Sequence, residues 1–305
     1  MRVSSSYKYE VGIASLSNIE NKRLSYYEQS STGLKVNRPS DDPLASSQSV
    51  TLNQSLSLNE RYEENRSIAS HQMELSETAI DSSISVLDEI NTVLVAAQSG
   101  ANSEADYQTY ATELKSLYAS LLTQANSTDG LGNYIYSGTK GDVPPYEVGD
   151  DGFVVDTNGD GGYVGGAEGS QIQIEKTRQI QAGNTGDEIY GSIFSDLESV
   201  INDLENYSSD DTIDLSASLN SARESVKSAQ DDMNTVKTSL GARMNEVSAL
   251  DSAGVSKEEN YTEQLSDLVN ADQVEVLSML EYYETQYEAS LTAFERIQSL
   301  HLFGN

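Results

Sequence analysis

Asp156, Asn158, Asp160 and Gly161 stand in DTNGDGG, from Asp156 to Gly162, and match the opening of a calcium loop, D-x-N-x-D-G. In such a loop alternate side-chain oxygens would ligate a hard cation. The twelfth position, where a bidentate glutamate belongs, is Ala167, and Glu168 comes one place late. The flanking runs have strand character, not helix character. A tight turn rich in Asn, Asp and Gly accounts for the same residues. His71 and His301 are the only histidines, and neither has HExxH or other ligand spacing. With no Cys there is no thiol nucleophile, disulfide or thiolate metal site. GxSxG, GxxxxGK[ST] and GxGxxG after a strand are all absent. Abundant carboxylates lie in helical patterns where a solvated face is the ordinary reading. These residues point to no catalytic, cofactor or metal site, and to a protein that acts through its surfaces.

Charge narrows the partners. The chain has 18 Lys and Arg against 49 Asp and Glu, net −31. Such a surface repels phosphate backbones, so no nucleic-acid partner is expected. Residues 1–70 carry eight basic and eight acidic side chains, whereas residues 71–275 carry nine and 37. Two readings stay open: an N-terminal part that packs on other protein, or an acidic surface suited to a saline or alkaline medium. No run approaches 18 apolar residues, so no membrane insertion is expected. The start, MRVSSSYKYEVGIASLSNIE, lacks the apolar core of a secretory signal.

The elements that would present these surfaces are mostly helices. Apolar content is 37%, with Tyr at 18, Phe at 4 and Trp at 0, which suits long helices burying one stripe each. All four prolines fall at 39, 43, 144 and 145, and 15 of 21 glycines lie between Gly130 and Gly191. That gives a helix–insert–helix layout. A first helix is expected from Ser5 to Ser31, ended by Gly33, with Tyr9, Ile13, Leu16, Leu24 and Tyr27 as its stripe. In PSDDP, Ser40 or Asp41 is expected to cap a second helix reaching Ser99, with Pro43 in its first turn. Met73, Ile80, Ile84, Leu87, Asn91, Leu94 and Ala97 carry a seven-residue rhythm there, the seam of a coiled coil or long bundle. A third helix is expected over Ser103–Asn126. Helices return over Ser192–Tyr207 and Ile213–Asp251, and a last one runs from Lys257 to Leu302. Its stripe is Val276, Leu280, Tyr283, Tyr287, Phe294, Ile297 and His301. The first and last helices could pair with each other, with neighbouring copies, or with both, and alone they would be poorly ordered. Between them, YEV, GFVV and SQIQI predict short strands. The expected fold is mainly α: a long helical bundle or coiled coil formed by N- and C-terminal regions, with a small inserted β domain. Its parts are a terminal coiled-coil core over residues 1–43 and 257–305, a bundle over 44–141 and 185–256, and the insert over 142–184.

STGLKVNRPSDDP, from Ser31 to Pro43, resembles the N-terminal signature of the flagellin-like axial proteins of the bacterial flagellum. MRVSS, NSTDGLGNYIYSGTKGDVPPY (Asn126–Tyr146) and NTGDEIYGSIFSDL (Asn184–Leu197) resemble the start of that family, its passage into the β insert and its return. The resemblance covers the whole chain in order. NYIYSG and the short insert are most similar to the hook–filament junction branch, hook-associated protein type 3. The C-terminal SLHLFGN is more polar than the family's usual ending. The resemblance implies a structural, non-enzymatic role in the flagellum outside the cell: a ring of copies joining hook-associated protein type 1 to flagellin. It also implies a flagellar export chaperone, type III export without a cleaved signal peptide, and contacts made by the two terminal stripes. A filament-forming flagellin, or a secreted calcium-binding protein using DTNGDGG, are the alternative readings.

Overall fold

The structure is a computed structural model that describes residues 5–99, 102–156, 161–208 and 215–302; the side chains of residues 5, 6, 8 and 297–302 lie outside that description. In chain order it comprises α1 (Ser5–Thr32), α2 (Pro43–Ala97), α3 (Glu104–Ala125), β1 (Gln171–Glu175), β2 (Arg178–Gln181), α4 (Gly186–Tyr190), α5 (Ile193–Glu205), α6 (Leu215–Val269) and α7 (Gln273–Leu302). The fold is mainly α with a small β insertion, as expected from sequence.

Local chemistry sets the helix ends. Gly33 adopts φ 76°, a conformation that strains residues with a Cβ, and its N–H closes on the Gln29 carbonyl at 2.8 Å. Asp41 closes the turn that follows, its Oδ2 accepting from the Asn37 and Arg38 N–H groups at 3.1 and 2.9 Å. The cap of α2 is therefore Asp42, not Ser40 or Asp41: its Oδ1 accepts from the Leu44 and Ala45 N–H groups at 3.0 and 2.9 Å. Reciprocal Ser103–Asp106 and Thr185–Glu188 capping boxes start α3 and α4.

The expected break between Asp251 and Lys257 does not exist. α6 runs through it, with Gly254 inside the helix. That glycine reflects close packing and not a stop, since a Cβ there would come within 2.4 Å of Arg66 Nη2. The break falls at Asn270–Asp272. There Asp272 Oδ1 accepts from the Val274 and Glu275 N–H groups at 2.9 and 3.3 Å and starts α7.

The chain divides into two compact units, residues 1–59 with 255–305, and residues 60–254. In the second unit α2 buries Met73, Ile80, Leu87 and Leu94, and α6 buries Val226, Met233, Leu240 and Val247, each at steps of seven. The other part of this core is aromatic. Phe194 of α5 lies 4.7 Å from Tyr146, 5.4 Å from Tyr118 of α3 and 5.6 Å from Tyr190 of α4, centroid to centroid. Two of the buried hydroxyls are bonded: Tyr136 donates to the Ser76 carbonyl at 2.9 Å, and the Tyr190 and Ser83 hydroxyls meet at 2.9 Å. Burial raises the phenols of Tyr118, Tyr136, Tyr146 and Tyr190 above their ordinary value and pushes Tyr163 up to about 12.

Within the insert, the described regular β structure is one antiparallel hairpin, β1–β2, with Ile172 opposite Ile180. SQIQI supplies β1. YEV and GFVV yield only the isolated bridges Tyr146–Tyr163 and Val148–Val154, because glycine turns interrupt each ladder after a residue or two. Tyr146, Phe153, Val154, Ile174 and Ile180 belong to the same buried cluster as the helices.

A candidate assembly surface on the terminal helices

In the first unit α1 packs along α7 of its own chain. Tyr26 stacks on Tyr283 at 5.5 Å between centroids, Tyr9 meets Phe294 at 5.2 Å, and the Arg23 guanidinium lies 5.1 Å over the Tyr287 ring. Gly12 faces Phe294, where a Cβ would approach the ring to 3.2 Å. Arg23 is oriented by Glu20 through two bonds of 3.0 and 2.8 Å, and this partner raises its pKa. The turns at the helix ends are laced together: Lys35 N–H donates to the Val269 carbonyl at 2.8 Å and Ala271 N–H to the Gly33 carbonyl at 2.9 Å. The Lys35 ammonium adds a bond of 2.7 Å to the Asp267 carbonyl. Isolated helices of this length are marginal, and this mutual cover supplies what each lacks.

The two predicted stripes divide into an inner and an outer set. Val276 is buried, and Leu16, Leu280, Tyr283, Tyr287 and Phe294 are half-buried. The side chain of Ile297 lies outside the described residues. Ile13, Leu24 and Tyr27 remain 45%, 51% and 64% exposed, and Tyr9 keeps an open edge beside Phe294. At about 100° per residue these four fall in one strip of α1, beside the strip of Gly12, Arg23 and Tyr26 that meets α7. α1 is apolar over a wider arc than α7 covers.

Two further features went unread in the sequence. Leu277 and Tyr282 of α7 are exposed, off the single stripe that spacing suggested. Between Asp42 and Glu60 there is not one Asp, Glu, Lys or Arg, in a chain of net charge −31. This start of α2 exposes Leu44, Val50 and Leu58. It borders a groove of about 540 Å³ whose walls include Thr51, Leu52, Asp267 and Leu268. The missing charge was the available signal.

The residues weighed for ion chemistry give a different picture. Asp156 Oδ2 accepts from the Gly161 N–H at 3.0 Å, and Asn158 and Asp160 lie outside the described residues. Among the described residues no group of three His, Cys, Asp or Glu could hold a metal ion, and no helix is long and apolar enough to cross a membrane. His71 is exposed on α2, and the side chain of His301 lies outside the described residues.

Residues 3–141 match the family model of the bacterial flagellin N-terminal helical region. The chain is 32% identical over 323 residues to flagellar hook-associated protein 3 of Escherichia coli, with 99% of each chain covered. It is 28% identical to the protein of the same name from Salmonella typhimurium, again over 99% of each. The crystal structure of the flagellar junction protein FlgL from Legionella pneumophila shares the fold, with a TM-score of 0.55 at 16% identity, over 73% of this chain and 100% of that one.

Proposed function

Because the chain belongs to the family of flagellar hook-associated protein 3, we propose that it is an adaptor between hook and filament. Copies form a ring seated on hook-associated protein type 1 on one side and on flagellin on the other. The observation that supports this reading is the outer strip of α1. Tyr9, Ile13, Leu24 and Tyr27 are exposed and aligned, and α7 touches this strip only where Phe294 meets one side of Tyr9. A ring joins unlike faces of identical subunits, so each copy must present a patch that its own fold does not use. The charge-free start of α2 offers a second such surface, since interface centres are depleted of charge. The inner set, from Val276 to Phe294, serves mainly to hold α1 against α7. Before assembly an export chaperone covers the strip, and the chain leaves by the flagellar type III route without losing a signal peptide.

The test is complementation of a strain lacking the gene, with the chain itself or with Leu24→Asp/Tyr27→Asp. The deletion strain should keep its hooks, lack filaments and spill flagellin into the medium. Both substituted side chains already stand in water, so the purified double variant should melt with the parent, reach the medium, and still fail to restore filaments. Filaments at parental length would sink the assignment of this strip. Long filaments grown from the pure protein would instead mark it as a filament subunit.

A further inference from the structure

The seam between α2 and α6 in the second unit has a repeat that leaves its own alignment undecided. Across it Asp81 meets Lys237 at 2.5 Å, Asp88 meets Gln230 at 2.8 Å, and Gln98 meets Asn220 at 2.8 Å. The helices therefore run antiparallel. The buried residues are Met73, Ile80, Leu87 and Leu94 on one helix and Val226, Met233, Leu240 and Val247 on the other. Every member is aliphatic and of similar size. A slip of seven residues would set each against the next member of the same series and keep the core apolar. The polar pairs across the seam are largely exposed, and such pairs fix little.

One layer breaks the repeat. Seven residues before Met73 stands Arg66, only 4% exposed, and seven after Val247 stands Gly254. The guanidinium occupies the space that Gly254 leaves open, 2.4 Å from where a Cβ would be. Its Nε donates to Asp251 Oδ1 at 3.0 Å and its Nη1 comes within 3.5 Å of the Ile174 carbonyl on β1. After a slip of seven in one direction the same buried cation would face Val247 with neither the space nor the carboxylate, and in the other it would face Tyr261, whose ring would fill the space that Gly254 leaves open. The hairpin is bonded from both sides of the seam. Asn65 of α2 donates to the Gln173 carbonyl of β1 at 2.7 Å. From α6, Arg243 donates to the Gln181 carbonyl of β2 at 2.7 Å and Glu246 pairs with Arg178 at 2.6 Å.

We propose that Arg66, Gly254 and the β1–β2 hairpin form a register clamp that admits one axial alignment of α2 against α6. This gives part of the insert a task inside the bundle, and it does not depend on the proposed place in the flagellum. A buried ionic group is a weak source of stability and a well-attested means of fixing register. Arg66 acts here as a positioning residue.

The absence of Cys makes the alignment measurable in the full chain. Asp81→Cys with Lys237→Cys reports the observed register. Asp81→Cys with Gln230→Cys, and Asp88→Cys with Lys237→Cys, report slips of one heptad in the two directions. The probe is a bismaleimide shorter than the ~10 Å travelled in such a slip. In the parent the first pair should cross-link at least ~10-fold better than either other pair, and with Arg66→Met that preference should fall to within about threefold. The parental preference in a folded Arg66→Met protein would overturn the clamp. If Arg66→Met does not fold, each pair is linked in denaturant and the chain refolded. Recovery of the helical signal with the first link and not with the others supports the clamp, and equal recovery or none refutes it.

Discussion

Removing the Phe194 ring tests whether the second unit melts as one piece with its insert. Phe194 is fully buried, and its ring sits 4.7–5.6 Å from three others carried by α3, α4 and the loop at Tyr146. Phe→Ala in a core costs about 3–5 kcal/mol, part of it the cavity left behind. Each ring pair adds about 0.5–1.5 kcal/mol beyond buried area, so three pairs place Phe194→Ala near the upper end of that range, about 4–5 kcal/mol. For a unit of this size each kcal/mol moves the midpoint by about 2–4 °C, giving a fall of roughly 10–20 °C. The assay is thermal circular dichroism with limited proteolysis at each temperature. Because Tyr146 and Phe153 share the core of the helices, cleavage within Asp142–Gly166 should begin in the same transition as loss of helix. A fall equivalent to less than about 1 kcal/mol, or an insert that becomes cleavable in a separate transition, would refute a continuous core.

Alkali should unfold the protein by a route set by its buried phenols. Tyr163, held at about 12, and its raised neighbours keep their protons in the folded state, whereas unfolded tyrosines ionise near 10. That contribution is complete below about pH 10 and is lost as pH climbs through the folded values, so the urea midpoint should fall above about pH 10. A midpoint unchanged to pH 12, with phenolate absorbance fully developed, would contradict it. Asp42→Ala should weaken the first turn of α2 by about 1 kcal/mol, seen as faster amide exchange at Leu44 and Ala45, and Asp42→Asn should restore most of it. Unchanged exchange in the alanine variant would show that Asp42 is not the cap.

Signals confined to a few neighbouring residues were legible in the sequence. Gly33 stops α1 and Pro43 opens α2 because each acts through its own backbone. The cap moved to Asp42 because Asp41 is taken up by the Asn37–Arg38 turn, a competition that residue preference does not reveal. The break expected between Asp251 and Lys257 was misplaced for a related reason: Gly254, inside it, makes room for Arg66, which lies 188 positions earlier. The stripes of α1 and α7 were visible, but spacing cannot say which members a partner will cover. Leu16 turned inward while Ile13, Leu24 and Tyr27 did not, and Tyr9 stayed exposed even beside Phe294, because α1 is apolar over a wider arc than α7 covers. The insert showed its strands only where SQIQI escapes interruption by glycine.

The first unit draws on both ends of the chain, and this constrains the order in which the protein can fold. Its lacing turns join residues far apart in sequence, as with Lys35 and Asp267, separated by 232 positions. From a fully unfolded chain, closing so long a loop is entropically uphill before any contact is gained. Once the second unit has formed, Arg66 and Asp251 stand together at its edge. The chain still to be closed then shrinks to roughly 50 residues, which eases closure by about 1.4 kcal/mol, or about tenfold in encounter probability. Formation of the second unit therefore eases closure of the first. Slowing its formation, for instance with Phe194→Ala, should delay the pairing of α1 with α7 even though none of their own contacts has been touched.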